Sequence, residues 1–267
     1  MTALKKRIIC LLLAVCLCVF AAGCDGSKVS GYREIGTIEG QELCIAFRQG
    51  DQLRDIVTAG MMVMSADGTI AQLSTKWFGE TDTASCPADA EMAGWLQNRP
   101  HRVLTVGYYP GAQPMCYEYG GVVQGFDADM FANLCARLGW ELRFQPIARG
   151  SAEIELASGN VDCVAGGFGT TEESSKMSYS PTYLTTKYSF VAKAGGDISR
   201  TGQLKGKTLA TVSSSAMGKA LESDEKLMEK LGQLMVLGSE EDCFTALDAG
   251  KCDAILVSSL CADAYMK

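Results

Sequence analysis

Hydrophobic and polar positions follow recognisable rhythms along this chain, and the rhythms change at a few definite places. The first apolar run, Ile8 to Phe20, is 13 residues long and carries no charge. It follows Lys5, Lys6 and Arg7, so it reads as the core of a secretory signal; it is too short for a membrane span. Past Ser30 the pattern becomes strand-like over Tyr32 to Ile38 and again over Leu43 to Phe47. Helical spacing then puts Leu53, Ile56, Val57, Met61 and Met64 on one face, with Asp51 as a starting cap. A turn at Asp67-Gly68 leads into a second helix with Ile70, Leu73 and Trp77 at core spacing, and Gly79 stops it.

Residues 81 to 101 lose both periods. Thr, Asp, Ser, Ala and Pro dominate, with at most a short helix over Glu91 to Gln97, so this stretch reads as a connector. Beyond it a βα rhythm starts with a strand at Val103 to Gly107, a Gly/Pro-rich loop and a helix from Asp127 to Leu138. That helix buries Phe131, Leu134, Cys135 and Leu138 and stops at Gly139. A strand with Trp140, Leu142 and Phe144 on alternate positions follows, then a helix to Ser158 and a strand from Val161 to Ala165. The rhythm returns in Thr208 to Val212 (strand), Ala216 to Leu231 (helix) and Leu234 to Leu237 (strand). A helix capped by Ser239 comes next, with Glu240, Glu241 and Asp242 in its first turn. The stretches "LASGNVDCV" (156–164) and "LDAGKCDAI" (247–255) share Leu, Gly and Asp at matching places. Each reads as a helix end, a glycine stop and a buried strand, which predicts two similarly built α/β lobes.

Charge and cysteines narrow the classes. The net charge is −7, and loss of a signal would remove three more positive charges. Such acidity argues against nucleic acid and against a polybasic membrane patch. The length suits one large domain or two lobes. Of the 12 cysteines, eight lie between Cys44 and Cys261, an even number that permits disulfides in an exported protein. Cys135, Cys163 and Cys252 fall at core positions, which favours buried thiols for these three. His101 is the sole histidine and stands in the connector; there is no C-x-x-C. Neither a metal site nor a Ser/His or Cys/His hydrolase fits this inventory, and no cofactor is expected.

Ligands of open α/β sheets bind beyond the carboxyl ends of the strands. Those ends here carry Gly166-Gly167-Phe168-Gly169-Thr170-Thr171, Ser213-Ser214-Ser215 and Ser258-Ser259. Glycines permit close backbone approach, and serines at a helix start leave N–H groups free for an anion. The same residues would serve equally well as caps and turns.

Several stretches taken together are similar to the extracellular solute-binding proteins for polar amino acids, the receptors of bacterial ABC importers. They are "LTVGYY", "GFDADMFANLCARLGW", "LASGNVDCVAGGFGTT", "YSPTY", "LKGKTLATVSSSA", "ALDAGKCDAILV", "IAFRQGDQLRDIV" and "ADGTIAQLSTKWFG". The resemblance implies an α/β fold of the two-lobed, type II periplasmic-binding-protein kind, with a ligand cleft between the lobes and no catalysis. It also implies a small polar solute and an ABC permease as partners, and a monomer. Ala21-Ala22-Gly23-Cys24 resembles the bacterial lipoprotein cleavage box, which implies removal of residues 1–23 and a lipid on Cys24. Residues 24–30 would then tether an extracytoplasmic protein to the cell membrane by its lipid alone.

One segment is out of the family's order. The part resembling Tyr32 to Gly79 comes last in the family, so the chain reads as a circular permutant. Residues 41–185 would form lobe 1, made of 41–80 as the usual C-terminal segment, 81–101 as a permutation linker and 102–185 as the usual N-terminal segment. Residues 190–267 with 31–40 would form lobe 2 and the hinge. A truncated tandem, in which the tail of one lost copy precedes most of a second, is the rival.

The candidate ligand contacts are Tyr109, Arg149, Gly167, Thr171, Ser213, Ser215 and Ser258, with Tyr109 placed after the first strand to stack on a ligand. Two of the family's contacts are missing. Where an arginine clasps the ligand's α-carboxylate, "TTEESSKMSYS" offers Ser174 or Glu173; where an aspartate holds the α-ammonium, Ser258 stands. A bidentate arginine pair is worth ~1.5–3 kcal/mol net, so the usual clasp is weakened at both ends. Arg149 falls near the place of a common aromatic wall; it is either a solvated surface charge or a replacement cation. The expected ligand is therefore something other than a standard α-amino acid, or an amino acid held in an altered geometry by Arg149. A ligand-sensing module for a signalling partner would use the same cleft, and a lyase on the same fold is a third class.

Overall fold

The computed structural model describes residues 31–80, 82–169, 174–212 and 216–266. Residues 31–267 form the second of two units of the chain; residues 1–30, with the expected lipidation site Cys24, lie outside the described residues. Among the described residues no single helix is long and apolar enough to cross a membrane.

The second unit is built on two five-stranded sheets. The first contains β2 (Ala46–Arg48), β3 (Val103–Tyr108), β6 (Glu141–Pro146), β7 (Cys163–Ala165) and β8 (Met177–Tyr179), in the order β6-β3-β7-β2-β8. The second contains β1 (Tyr32–Leu43), β9 (Leu184–Lys193), β10 (Thr208–Val212), β11 (Gln233–Leu237) and β12 (Ala254–Ser258), in the order β11-β10-β12-β9-β1. Strand directions also correspond. β3 runs parallel to β6 and β7 while β2 is antiparallel to its two neighbours. In the other sheet β10 runs parallel to β11 and β12 while β9 is antiparallel to β12 and β1. A hairpin of β4 (Tyr117–Tyr119) and β5 (Val122–Gln124) belongs to the first lobe.

Helices cover the sheets where the 3.6 spacing predicts them. In lobe 1, α1 (Leu53–Ala66), α2 (Thr69–Phe78) and α3 (Phe126–Leu138) pack on one sheet face, and α4 (Ala152–Ser158) lies on the other. In lobe 2 the helices are α5 (Ala216–Glu222), α6 (Glu225–Met228), α7 (Glu240–Asp248) and α8 (Ser259–Met266). One core joins Phe47, Val57 and Met64 to Val106, Phe131 and Leu134; another joins Ile35 to Phe190, Leu209, Phe244 and Ile255. Residues 31–79 thus supply apolar surface to both lobes. The connector is packed rather than loose: Leu96 is buried, Ser85 N–H bonds the Tyr183 carbonyl at 2.8 Å, and Ala84 bridges Leu184.

β1 and β9 form an antiparallel ribbon from Tyr32↔Lys193 to Leu43↔Leu184 and carry the chain between lobes. The register shifts between Ile38 and Gln41, where a Cβ on Gly40 would stand 1.7 Å from the Thr186 carbonyl oxygen, so only glycine fits this crossing. At the other end of the ribbon, the Tyr32 ring lies 6.5 Å from that of Tyr265, so the two ends of the described unit meet.

Three details differ from the sequence-based expectation. The strand expected over Tyr32 to Ile38 runs on to Leu43, because β9 offers a partner along its whole length. Leu43 to Phe47 is not one strand, since only Ala46–Arg48 joins the lobe 1 sheet. The helix expected over Ala216 to Leu231 breaks at Ser223; the Asp224 carboxylate accepts the Leu227 N–H and starts a separate turn. Seven of the eight cysteines between Cys44 and Cys261 are buried.

Candidate functional site

The loops at the carboxyl ends of both sheets meet across a cleft. Its wall includes Gln41, Thr186 and Tyr188 from the crossing ribbon, Arg149 and Gly167 from lobe 1, and Glu240 and Ser258 from lobe 2. The lobes approach closely at the rim, where a Cβ on Gly111 would stand 3.0 Å from Ser239 Cβ.

Gly167 is placed by a buried carboxylate. Asp127, in the first turn of α3, is 1% exposed and accepts the Gly166 N–H at 2.7 Å and the Tyr183 hydroxyl at 2.8 Å. Burial pushes its carboxyl up to about 7, against the opposing pull of the Tyr183 hydroxyl and the Gly166 and Gly167 N–H groups. Gly166 and Gly167 both take positive φ, and at Gly166 a Cβ would also meet Cys116 Cβ at 2.9 Å. A side chain at Gly166 would force the loop off Tyr108 and Cys116.

Arg149 stands in the loop between β6 and α4. Its guanidinium lies over the Tyr109 ring at 4.9 Å, and its Nε is shut from solvent with no hydrogen-bond partner among the described residues. Tyr109 itself is fully buried and lines a neighbouring groove with Arg149, Ser239 and Asp242. Its ring supports Arg149 rather than facing the cleft that holds Gly167 and Ser258.

Ser258 ends β12. Its N–H donates to Glu240 Oε1 at 2.7 Å, and its hydroxyl lies 3.4 Å from that of Thr186. Glu240 is the residue that sequence reasoning passed over: it opens α7 directly after the Ser239 cap and is 3% exposed. Burial raises its carboxyl above the usual range; the Arg149 charge, the Ser258 N–H and the Cys261 thiol each oppose that rise. The signal available in the sequence was three successive acids after a cap at a strand end. Nothing local said which of them turns inward.

Of the expected contacts, Arg149, Gly167 and Ser258 therefore share one cleft, with Tyr109 behind Arg149. Thr171, Ser213 and Ser215 lie outside the described residues. Among the described residues no group of three or more His, Cys, Asp or Glu is placed to hold a metal ion.

Two α/β lobes of matching wiring, joined by a crossing ribbon, define a type II periplasmic-binding-protein fold. Residues 104–235 match the sequence profile of the bacterial extracellular solute-binding proteins, family 3. Over these residues the chain carries this family's pattern. It is 26% identical over 166 residues to the arginine-binding extracellular protein ArtP of Bacillus subtilis, an alignment covering 61% of this chain and 64% of that protein. The chain thus spans slightly less than two thirds of that relative's length. Among solved structures, it is similar to the histidine-bound substrate-binding protein of an ABC uptake transporter from Streptococcus pneumoniae. That match has a TM-score of 0.57 at 23% identity and covers 61% of this chain and 69% of the other. It is also similar to an L-arginine-bound protein, Tv2483, with a TM-score of 0.54 at 30% identity over 60% of this chain and 66% of the other. The curated relatives are named as binding proteins for amino acids, not as enzymes.

Proposed function

We propose that this protein is an extracytoplasmic receptor that closes its lobes over a small polar solute, an amino acid or a related compound, and delivers it to an ABC permease. The observation that carries this reading is the cleft: opposite charges and hydroxyls from two lobes line one space beside a two-strand crossing. Hinge closure around such a space makes the loaded state recognisable to a membrane partner. Relatives named for arginine, histidine and cystine support the solute class. The protein acts as a monomer without a cofactor, held to the membrane by a lipid on Cys24.

The chain is a circular permutant of the family's order. Support comes from the ribbon and cores, in which residues 31–79 serve both lobes, from the meeting of Tyr32 and Tyr265, and from a family match that starts at residue 104. A thermal-shift screen against the twenty amino acids and cystine tests the receptor reading. At least one should raise the melting temperature, because a ligand of the folded state alone stabilises it; no shift with any of them would overturn it. For the anchor, Cys24→Ala should move the protein from the membrane fraction to the soluble one. Retention in the membrane would refute lipidation.

A further inference from the structure

The charged groups that the described residues bring to the cleft wall are Arg149 and Glu240, one from each lobe. We propose that Glu240 is the specificity-determining residue of the cleft, receiving a cationic group of the solute while Arg149 takes an anionic one. The proposal rests on the reading of this cleft as the solute site.

Burying a carboxylate is costly unless it is paired and hydrogen-bonded. Glu240 is 3% exposed, yet its neighbours are one backbone N–H and one thiol, and it closes no ion pair with a described cation. Arg149 is near enough to stabilise its charged form without touching it. On the facing side, the Arg149 Nε is buried and unpartnered while its plane rests on Tyr109. Both groups are held in position with unused hydrogen-bonding capacity. The Ser239 cap fixes the start of α7, the Ser258 N–H fixes one Glu240 oxygen, and stacking fixes the guanidinium.

The rest of the described wall is neutral: Gln41, Thr186, Tyr188 and Ser258 offer amide and hydroxyl groups. A solute with only an anionic group would leave Glu240 buried and uncompensated, and a purely cationic one would leave Arg149 so. A solute with both signs of charge satisfies both lobes at once. Charge-assisted bonds are about twice as strong as neutral ones, so the carboxylate should discriminate sharply between an ammonium and a hydroxyl at the same position.

The test is calorimetry on the mature chain with the twenty amino acids, followed by the α-hydroxy acid matching the tightest of them. The native protein should prefer the amino acid to its hydroxy counterpart by roughly 10- to 100-fold, the range expected for one charge-assisted bond. Glu240→Gln should bring the two affinities to within about threefold of each other. Glu240→Asp, which keeps the charge, should keep the preference at lower affinity, and its far-ultraviolet circular dichroism should match the native protein's. If Glu240→Gln weakens both compounds equally, Glu240 only holds the Ser258 N–H and the proposal is wrong. Should the native protein bind hydroxy and amino acids alike, the solute site stands and the role of Glu240 falls. No binding of any compound would overturn the cleft reading and this proposal with it.

Discussion

In lobe 1 the Asp162 carboxylate accepts the Thr105 N–H at 2.8 Å, while its own N–H donates to the Thr105 carbonyl. In lobe 2 Asp253 accepts the Thr208 N–H at 2.8 Å and donates to the Thr208 carbonyl. Each aspartate follows a left-handed glycine, Gly159 or Gly250, and each also binds a cation, Arg102 or Lys207. Both lobes thus clamp the third strand to the first by the same device. The difference lies at the opposite ends of the strands. Arg149 stands in the loop after the second strand of lobe 1, and Glu240 opens the helix after the second strand of lobe 2. A shared scaffold presents opposite charges from the same end of its two sheets, which is how two similar lobes make an asymmetric site.

The largest effects should come from removing each lobe's core. Phe131→Ala and Phe244→Ala each delete a fully enclosed ring and should cost about 3–5 kcal/mol in urea unfolding. If one of the pair costs under about 1 kcal/mol, the lobes are not equally packed. Next are the clamps. Asp162→Ala should cost about 2–3 kcal/mol, because it strands a backbone N–H and loses contacts to two arginines. Asp253→Ala should cost about 1–2 kcal/mol, since Asp253 is more exposed and holds one lysine at 3.2 Å. The reverse order would break the comparison.

Asp127 is the only buried aspartate among the described residues, and it makes stability depend on pH. Its folded value of about 7 lies above the unfolded one, so the folded state holds the extra proton between about 4 and 7. Its contribution to stability is complete below about 4 and is lost as pH rises through about 7, with a slope of at most about 1.4 kcal/mol per pH unit. Asp127→Asn should flatten the fall in unfolding free energy between pH 5 and pH 8; buried Glu240, shifted the same way, keeps part of it. An unchanged slope would contradict the assignment. The smallest effect is expected at the β4–β5 hairpin, which has no counterpart among the described residues of lobe 2. Tyr119 is 75% exposed, so Tyr119→Ser should change stability by less than about 0.5 kcal/mol.

The features legible in the sequence were those specified within a few residues. "LASGNVDCV" and "LDAGKCDAI" revealed the duplicated lobes because a glycine stop and an aspartate clamp are local devices with fixed spacing. The displaced "STKWFG" likewise prompted the reading of the chain as a circular permutant. Features that depend on distant partners were not legible. β1 extends to Leu43 because β9 lies beside it, and Glu240 is buried because Ser258 and Cys261 close over it. The break at Ser223 was within reach, since an aspartate three residues before a leucine N–H is a cap signal that the surrounding apolar spacing concealed.

Closure of the two like lobes on a solute across the ribbon changes a distance that can be measured directly. Spin labels on unnatural residues at Ile154 and Val236, exposed sites on lobe 1 and lobe 2, would leave the eight cysteines between Cys44 and Cys261 untouched. The distance between them should be measured by pulsed dipolar spectroscopy with and without a saturating mixture of the twenty amino acids. Closure should give a shorter mean distance and a narrower distribution when the mixture is present. An identical distribution in both conditions would contradict it.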